Sequence, residues 1–458
     1  MPSLGSILSI ANSALRSKQE AINVTAHNIA NASTEGYTRQ RPVLSPLPPL
    51  ETPSGVFGTG VRVDDVDRVR DAYLDMAFRR EIGDFQEAET RSGTLGQVES
   101  VLAEPGDDGL STALDQFFSA WSYLATYPDS TPAREGVRTQ ARTLTDQMHN
   151  LAGSLDQVRQ DTEARLTSTV DQVNDLAREV AALNQEITSA EAGGRTAGDL
   201  RDSRDRLLDE MATLIPVQVM ERDNGSVGVF TSGMSLVDGA NFAALELHES
   251  GGTVRLRRQG HATDLQDLGG TAGGMMTLLN SDLPDIRSRL DDLAEALVTE
   301  VNALHRTGTN PDGVTGVDFF DPTGITATSI GMSADVESSS RAISAGTGGP
   351  SGEYRAGVND VALELAGFRD ADSPLLGTSY GEHFGQLVTD VGFSVRSSLD
   401  QVEVHETLSH QADLRRESLS GVSTDEELVR LIEFQTAYSA AARVVTVADE
   451  MMETLVRM

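Results

Sequence analysis

Cysteine is absent from this 458-residue chain, which excludes disulfides, thiolate metal sites and cysteine nucleophiles. Aromatic residues are scarce, at 5%, with a single tryptophan. Hydrophobic residues reach only 38%, a composition suited to long amphipathic helices more than to one large globular core. Lysine is nearly missing: Lys18 stands alone among 36 basic residues, which reads as codon usage and not as function. Against those 36 stand 70 acidic residues, a net charge of −34. Nucleic acid and anionic membranes are therefore disfavoured partners, since both require a basic stripe. No run of 18 apolar residues occurs, so no transmembrane helix is expected. Ser3, Ser6, Ser9, Asn12 and Ser13 interrupt the N-terminus, which does not read as a Sec signal. Two readings follow, a cytosolic protein or one exported without a cleaved signal.

The length allows two to four domains. Leu4, Leu8, Ala11, Leu15, Ile22, Ala26 and Ile29 recur at helical spacing and predict an amphipathic helix over residues 4–30. Asn31, Ser33 and Gly36 mark its end. Five prolines within residues 42–53 predict an extended connector. Residues 66–195 read as helices broken at 104–109 and 127–132. Another short helix follows at about 199–214. The period then changes from 3.6 to 2, with turn signals at Asp223-Asn224-Gly225 and Ser250-Gly251-Gly252. Residues 216–269 are thus expected to form a small β-domain, inserted between helical blocks and lying on an outer surface. Helix returns from Leu283 to Leu304, and a Gly/Ser/Asp-rich stretch at 308–380 shows little pattern. Helices resume at about 383–418.

The last segment is the most regular. Leu431, Phe434, Tyr438, Ala441, Val445, Ala448, Met452 and Leu455 alternate +3 and +4, a 3.5-residue repeat typical of a helix in a supercoil. Ser423 or Thr424 can cap this helix, with Asp425, Glu426 and Glu427 at the positive end of its dipole. Charge follows the same division. Residues 1–46 carry four basic and two acidic groups and residues 405–458 five and ten, so the acidic excess lies in the middle. The expected fold is mainly α with a small inserted β domain: an elongated rod whose terminal helices pair as a coiled coil. The domains would be 1–45 with 405–458 as a terminal helical unit, 46–215 with 270–404 as a helical body, and 216–269 as the outer β domain.

No constellation points to catalysis, a metal or a cofactor. His405 and His410 lie about 140° apart on a helix and cannot share an ion on one face. Asn310-Pro311-Asp312-Gly313 with Asp318 lacks the alternating carboxylates and closing glutamate of a calcium loop and reads as a turn. The six residues from Gly269 to Gly274 lack the lysine of a phosphate-binding loop and read as a hinge.

Two motifs carry a resemblance. After the first helix, Asn28 and then Asn31, Thr34, Gly36 and Tyr37 resemble the A-N-x-x-T-x-G-Y element of bacterial flagellar axial proteins. In physical terms, Asn31 can close the helix, Gly36 can take positive φ and Tyr37 can pack back. Near the C-terminus, Gly421 to Glu427 and then Phe434 to Arg443 resemble the ending of the flagellar hook-associated protein 1 family. Ala113 to Phe118, Pro132-Ala133-Arg134, Leu200 to Leu208 and Asp318-Phe319-Phe320 follow that family's order, so the likeness spans nearly the whole chain. Longer members insert a further outer domain where this chain has only 321–380. The resemblance implies a structural subunit, not an enzyme, exported by the flagellar type III system. It would assemble as a ring at the hook–filament junction, outside the cell. Implied partners are further copies of itself, hook protein below, other hook-associated proteins above and a cytosolic export chaperone before secretion. Another axial subunit, of hook or distal rod, is the second reading.

Overall fold

The structure, a computed structural model, describes residues 4–52, 55–102 and 109–457. Ser3, Pro53 and most of the expected helix break at 104–109 lie outside these residues, as does the side chain of Leu455. The first helix, α1 (Leu4–Ala30), ends at Asn31, and Gly36 follows with φ of 73°. The proline-rich connector is strand, not simple coil. Strands β1 (Gln40–Pro46) and β4 (Val61–Arg68) pair antiparallel around the smaller β2 (Leu50–Thr52) and β3 (Gly55–Phe57). Pro42 and Pro46 are tolerated because this two-stranded ribbon is all edge. The ribbon lies on α1: Ser17 Oγ donates to Val61 O (3.1 Å) and Val61 N to Ser13 Oγ (3.2 Å). The expected domain boundary at 45/46 therefore falls inside β1, and the ribbon goes with the terminal helices.

Helices α2 (Ala72–Leu102), α3 (Leu110–Thr126), α4 (Thr131–Glu191) and α5 (Gly198–Leu214) follow. Ser130 caps α4 by accepting from Ala133 N, and Pro132 sits in the first turn where no donor is required. With 61 residues, α4 spans about 90 Å. Next come β5 (Gln218–Glu221), β6 (Val227–Thr231), β7 (Met234–Asp238) and β8 (Asn241–Phe242), one antiparallel sheet in sequence order. The hairpin β9 (Leu245–Ser250) and β10 (Thr253–Arg258) completes this block. It is bound firmly to the helices. Val229, Leu236, Val237 and Leu256 are buried in the same core as α4 and α5. Asn174 and Asn184 on α4 each donate to and accept from strand backbone, at Leu245 and Val227.

Helix α6 (Gly270–Thr277) runs into α7 (Leu283–His305) through a widened π turn at Leu278–Asp282. Pro284 supplies no N–H to that turn. Asn280 there pairs with both backbone groups of Val254, at 2.8 and 2.9 Å. The pattern-poor stretch holds β11 (Gly308–Thr309), α8 (Ala334–Ser338), β12 (Gly346–Thr347) and α9 (Asp360–Gly367). Val336, Ile343, Val361 and Leu365 sink from it into the main core. Helix α10 (Tyr380–Ser420), capped by Ser379, is unbroken across the expected boundary at 404/405 and leads into α11 (Thr424–Arg457).

The few aromatic residues are concentrated. Phe117 of α3 meets Phe319 and Phe320 with ring centroids 5.8 and 5.9 Å apart, and Trp121 meets Phe319 at 5.3 Å. Two motifs noted in the sequence, Ala113 to Phe118 and Asp318 to Phe320, are thus halves of one core. Asn302 of α7 holds the second half by accepting from Phe319 N and Phe320 N and donating to Phe320 O.

Candidate assembly interface

The motif after α1 is organised around Asn28, whose side chain is buried. Its Nδ2 donates to Gln40 O and to Glu427 Oε2, both at 2.9 Å. Its Oδ1 accepts from Tyr37 Oη (2.8 Å) and Gln40 N (3.0 Å). Two donors and two lone pairs are the whole capacity of a carboxamide, so none is left over. Asn31 closes the helix end: Nδ2 donates to His27 O and Oδ1 accepts from Thr34 Oγ1. Thr34 O accepts from Tyr37 N, and the Tyr37 ring packs edge-on against His27. Burial, then the carboxylates of Asp199, Asp202 and Glu427, push the Tyr37 phenol upward, so it remains a donor at any working pH. A Cβ on Gly36 would lie 2.5 Å from Cγ and Cδ of Arg206 as well as at positive φ.

Glu427 is the C-terminal counterpart. Only 1% exposed, it accepts from Asn28 and from Arg430 Nη1 (3.0 Å). Sequence reasoning placed it on the helix dipole; the structure gives it the more specific task of receiving Asn28. Arg39 adds a second clasp, donating its N–H to Ser420 O (2.9 Å) and pairing with Glu426 (3.3 Å).

A charged network, not foreseen in the sequence, fixes these ends to the body. Arg68 reaches Asp202 and Asp205, each at 2.7 Å. Arg70 binds Asp75 (2.6 Å) and Asp205 (3.0 Å), and Arg79 binds Asp209 (2.6 Å). Arg416 of α10 joins Asp209 at 2.6 Å and stacks on Phe78 with its guanidinium 3.8 Å from the ring centre. Burial alone would raise the Asp205 carboxyl, yet Arg70, Arg68, Arg79 and Arg204 hold it below the usual range. Asp202 also accepts from Thr38 N, inside the motif loop. Between this loop and the α10–α11 turn lies a polar cavity of about 710 Å³ lined by Thr34, Arg206, Arg416 and Ser423 among others.

The expected seam lies along α11 where it pairs with α1. Leu431, Phe434, Tyr438, Ala441 and Val445 are half-buried, Ala448 is buried and Met452 is 42% exposed. Lys18 stands over the Phe434 ring at 5.0 Å. On α1, Ala11, Ala21 and Val24 are buried; Leu4, Leu8, Leu15, Ile22 and Ile29 are half-buried, and Ala26 is exposed. One facing helix thus closes the seam only in part. Further apolar residues of α11 outside the seam are exposed: Leu428 (47% exposed) and Ile432 (62%) on one flank of it, Val444 (45%), Val447 (52%) and Met451 (42%) on the other.

His410 is exposed and His405 half-buried, and the two do not converge. Asn310 accepts from Asp312 N and Val314 N, as a turn does. Gly270 takes φ of 66°, and a Cβ there would lie 2.7 Å from the Leu214 backbone, a tight joint at the start of α6.

The family model described as the flagellar hook-associated protein FlgK helical domain matches residues 95–320. Those for the flagella basal body rod protein and the flagellar basal body rod FlgEFG protein C-terminal match residues 8–38 and 417–458. Flagellar hook-associated protein 1 of Bacillus subtilis is 28% identical over 492 residues, covering 98% of this chain and 97% of that protein. The proteins of the same name from Salmonella typhimurium (28% over 335 residues) and Escherichia coli (26% over 329) match 69% of this chain. These matches take in only 59% and 60% of those two proteins. The solved flagellar hook junction protein FlgK from Burkholderia pseudomallei shares the fold, with a TM-score of 0.64 at 15% identity, over 76% of this chain and 100% of that one.

Proposed function

We propose that the chain belongs to the flagellar hook-associated protein 1 family, structural components of the flagellar axis, and that it forms the junction between hook and filament. In this reading copies of the chain associate as a ring, with hook protein on one side and further hook-associated proteins on the other. The chain reaches that position through the flagellar type III export system, without signal cleavage and after binding a cytosolic chaperone. The observation that carries self-association is the exposed apolar surface flanking the seam of α11, with Leu428 and Ile432 on one side and Val444, Val447 and Met451 on the other. They leave apolar surface beside the paired α1 and α11 helices that neighbouring copies can cover. Asn28, Asn31, Thr34, Gly36 and Tyr37 then set the angle at which the paired helices leave the body, and residues 431–455 supply the seam. No catalytic role is assigned.

The second reading, a hook or distal-rod subunit, draws on the matches at residues 8–38 and 417–458. The hook-associated match over 95–320 favours the junction. Electron microscopy of flagella from a strain lacking this chain separates the two. Hooks without filaments are expected; absent hooks would favour the second reading.

A further inference from the structure

Glu81 and Asp84 stand three residues apart on α2, close enough to present adjoining side chains. His405 meets them from α10, the helix packed along α2. One carboxylate oxygen from each acid and one ring nitrogen all lie within 4.8 Å of one another. The two acids alone would be an unremarkable acidic pair on so acidic a chain. The imidazole supplies the independent observation. His405 Nδ1 is sealed from solvent, has no hydrogen-bond partner, and lies 3.9 Å from Glu81 Oε2, too far to donate to it. Glu81 has Arg80 beside its other oxygen, whereas Asp84 has no arginine or lysine within ion-pair distance among the described residues. Two carboxylates and a sealed nitrogen lone pair thus face one point that lacks a positive centre.

We propose that Glu81, Asp84 and His405 bind a divalent first-row metal ion, zinc most tightly, that clasps α2 to α10. One nitrogen and two oxygen donors suit Zn²⁺ and its spectroscopic substitute Co²⁺, and among such ions zinc binds more tightly than cobalt. Tetrahedral bonds of about 2.0–2.2 Å place donors roughly 3.3 Å apart, so the three side chains close in by about 1 Å through rotation. All three residues are half-buried, which leaves a fourth position for water. His410 has no part in it: the i,i+5 spacing excludes that pair, and the second element comes from α2. The competing account is a polar contact between α2 and α10 that needs no metal.

The test uses the full chain, untagged and stripped with chelator, titrated calorimetrically with ZnCl₂ at pH 7.5, and with CoCl₂ while visible absorption is recorded. One saturating equivalent is expected, with the visible bands of low-coordinate cobalt. His405→Ala and Asp84→Asn should each weaken zinc binding about tenfold or more, while His410→Ala leaves it unchanged. Circular dichroism of each metal-free variant checks that the fold is kept. No saturable binding by the parent chain would mean that the three side chains hold no ion. Equal binding by His405→Ala would mean diffuse attraction to the acidic surface, and either result overturns the site.

Discussion

Asn28 and Glu427, 399 positions apart, are joined by a 2.9 Å hydrogen bond inside the protein. Each is about 1% exposed, and each carries one of the two terminal motifs. Asn28→Ala strands Gln40 N–H and takes one of two partners from each of Tyr37 and Glu427, and a buried group so stranded costs about 1–3 kcal/mol. A double-mutant cycle with Glu427→Ala, read by urea unfolding, should show a coupling of about 0.5–3 kcal/mol. Glu427→Gln keeps an acceptor oxygen and should be the milder change. Additive effects would mean the contact carries no energy of its own.

Gly36 offers a second test. Its φ of 73° costs a β-branched residue about 1–3 kcal/mol, while asparagine enters this region more readily. Gly36→Val should impair junction assembly more than Gly36→Asn. Both add a Cβ that presses on Arg206, so Arg206→Ala should rescue part of either defect, leaving the difference between them. Equal assembly by Val and Asn variants would remove the backbone explanation.

The two faces of α11 separate folding from assembly. Phe434→Asp puts a charge on the side facing α1 and should destabilise the paired ends. Ile432→Asp, on a position 62% exposed, should change monomer stability by no more than about 0.5 kcal/mol yet prevent hook capping. Amide exchange and sedimentation on the purified variants measure both. Capping by Ile432→Asp at the parent level would end the case for Ile432 as an assembly contact.

His305 gives a pH signature. It is wholly buried, Nδ1–H donates to Val317 O (2.7 Å), and Nε2 accepts from Ser344 N (3.0 Å), so only the neutral ring fits. Burial pulls its pKa from 6.5 down to about 4. The unfolded chain therefore binds the extra proton first, and this contribution to stability is full above pH 6.5 and lost as pH falls toward 4. The shift corresponds to about 3 kcal/mol. Denaturation at a series of pH values should show His305→Gln less sensitive than the parent between pH 4 and 6.5, although less stable at pH 7. Parallel curves would contradict the assignment.

Helices were legible wherever one face repeats, because burial along a helix imposes a period that local sequence displays. Hence α1, α4, α7 and α11 were readable from Leu8, Val173, Leu290 or Val445 and their neighbours. The ribbon β1–β4 was not, since its prolines forbid a central strand but not a two-stranded edge. The ion-pair network among Arg68, Arg70, Asp202 and Asp205 joins residues more than 100 positions apart, and nothing local records such pairing. One signal was present and passed over. Asn28, Asn174, Asn184 and Asn302 sit inside helices, where asparagine is an indifferent choice. Each holds irregular or strand backbone by donating and accepting at once. An asparagine on the buried face of a predicted helix marks where non-helical chain docks.

The continuity of α10 has a mechanical consequence. Only two covalent paths connect the paired ends to the body: the link between β4 and α2, and α10 itself. The link is short and held on both sides by Arg68 and Arg70, and α10 runs 41 residues without a break from the aromatic core to the turn at Gly421. Twist applied at the ends therefore has no slack hinge in which to dissipate. It passes along α10 as torque on a shaft, with Arg416 and Asp209 acting as a key that stops the shaft from turning in its bearing. Such a subunit acts as a stiff coupling, and any compliance must reside at its contacts with neighbouring molecules instead of within the chain.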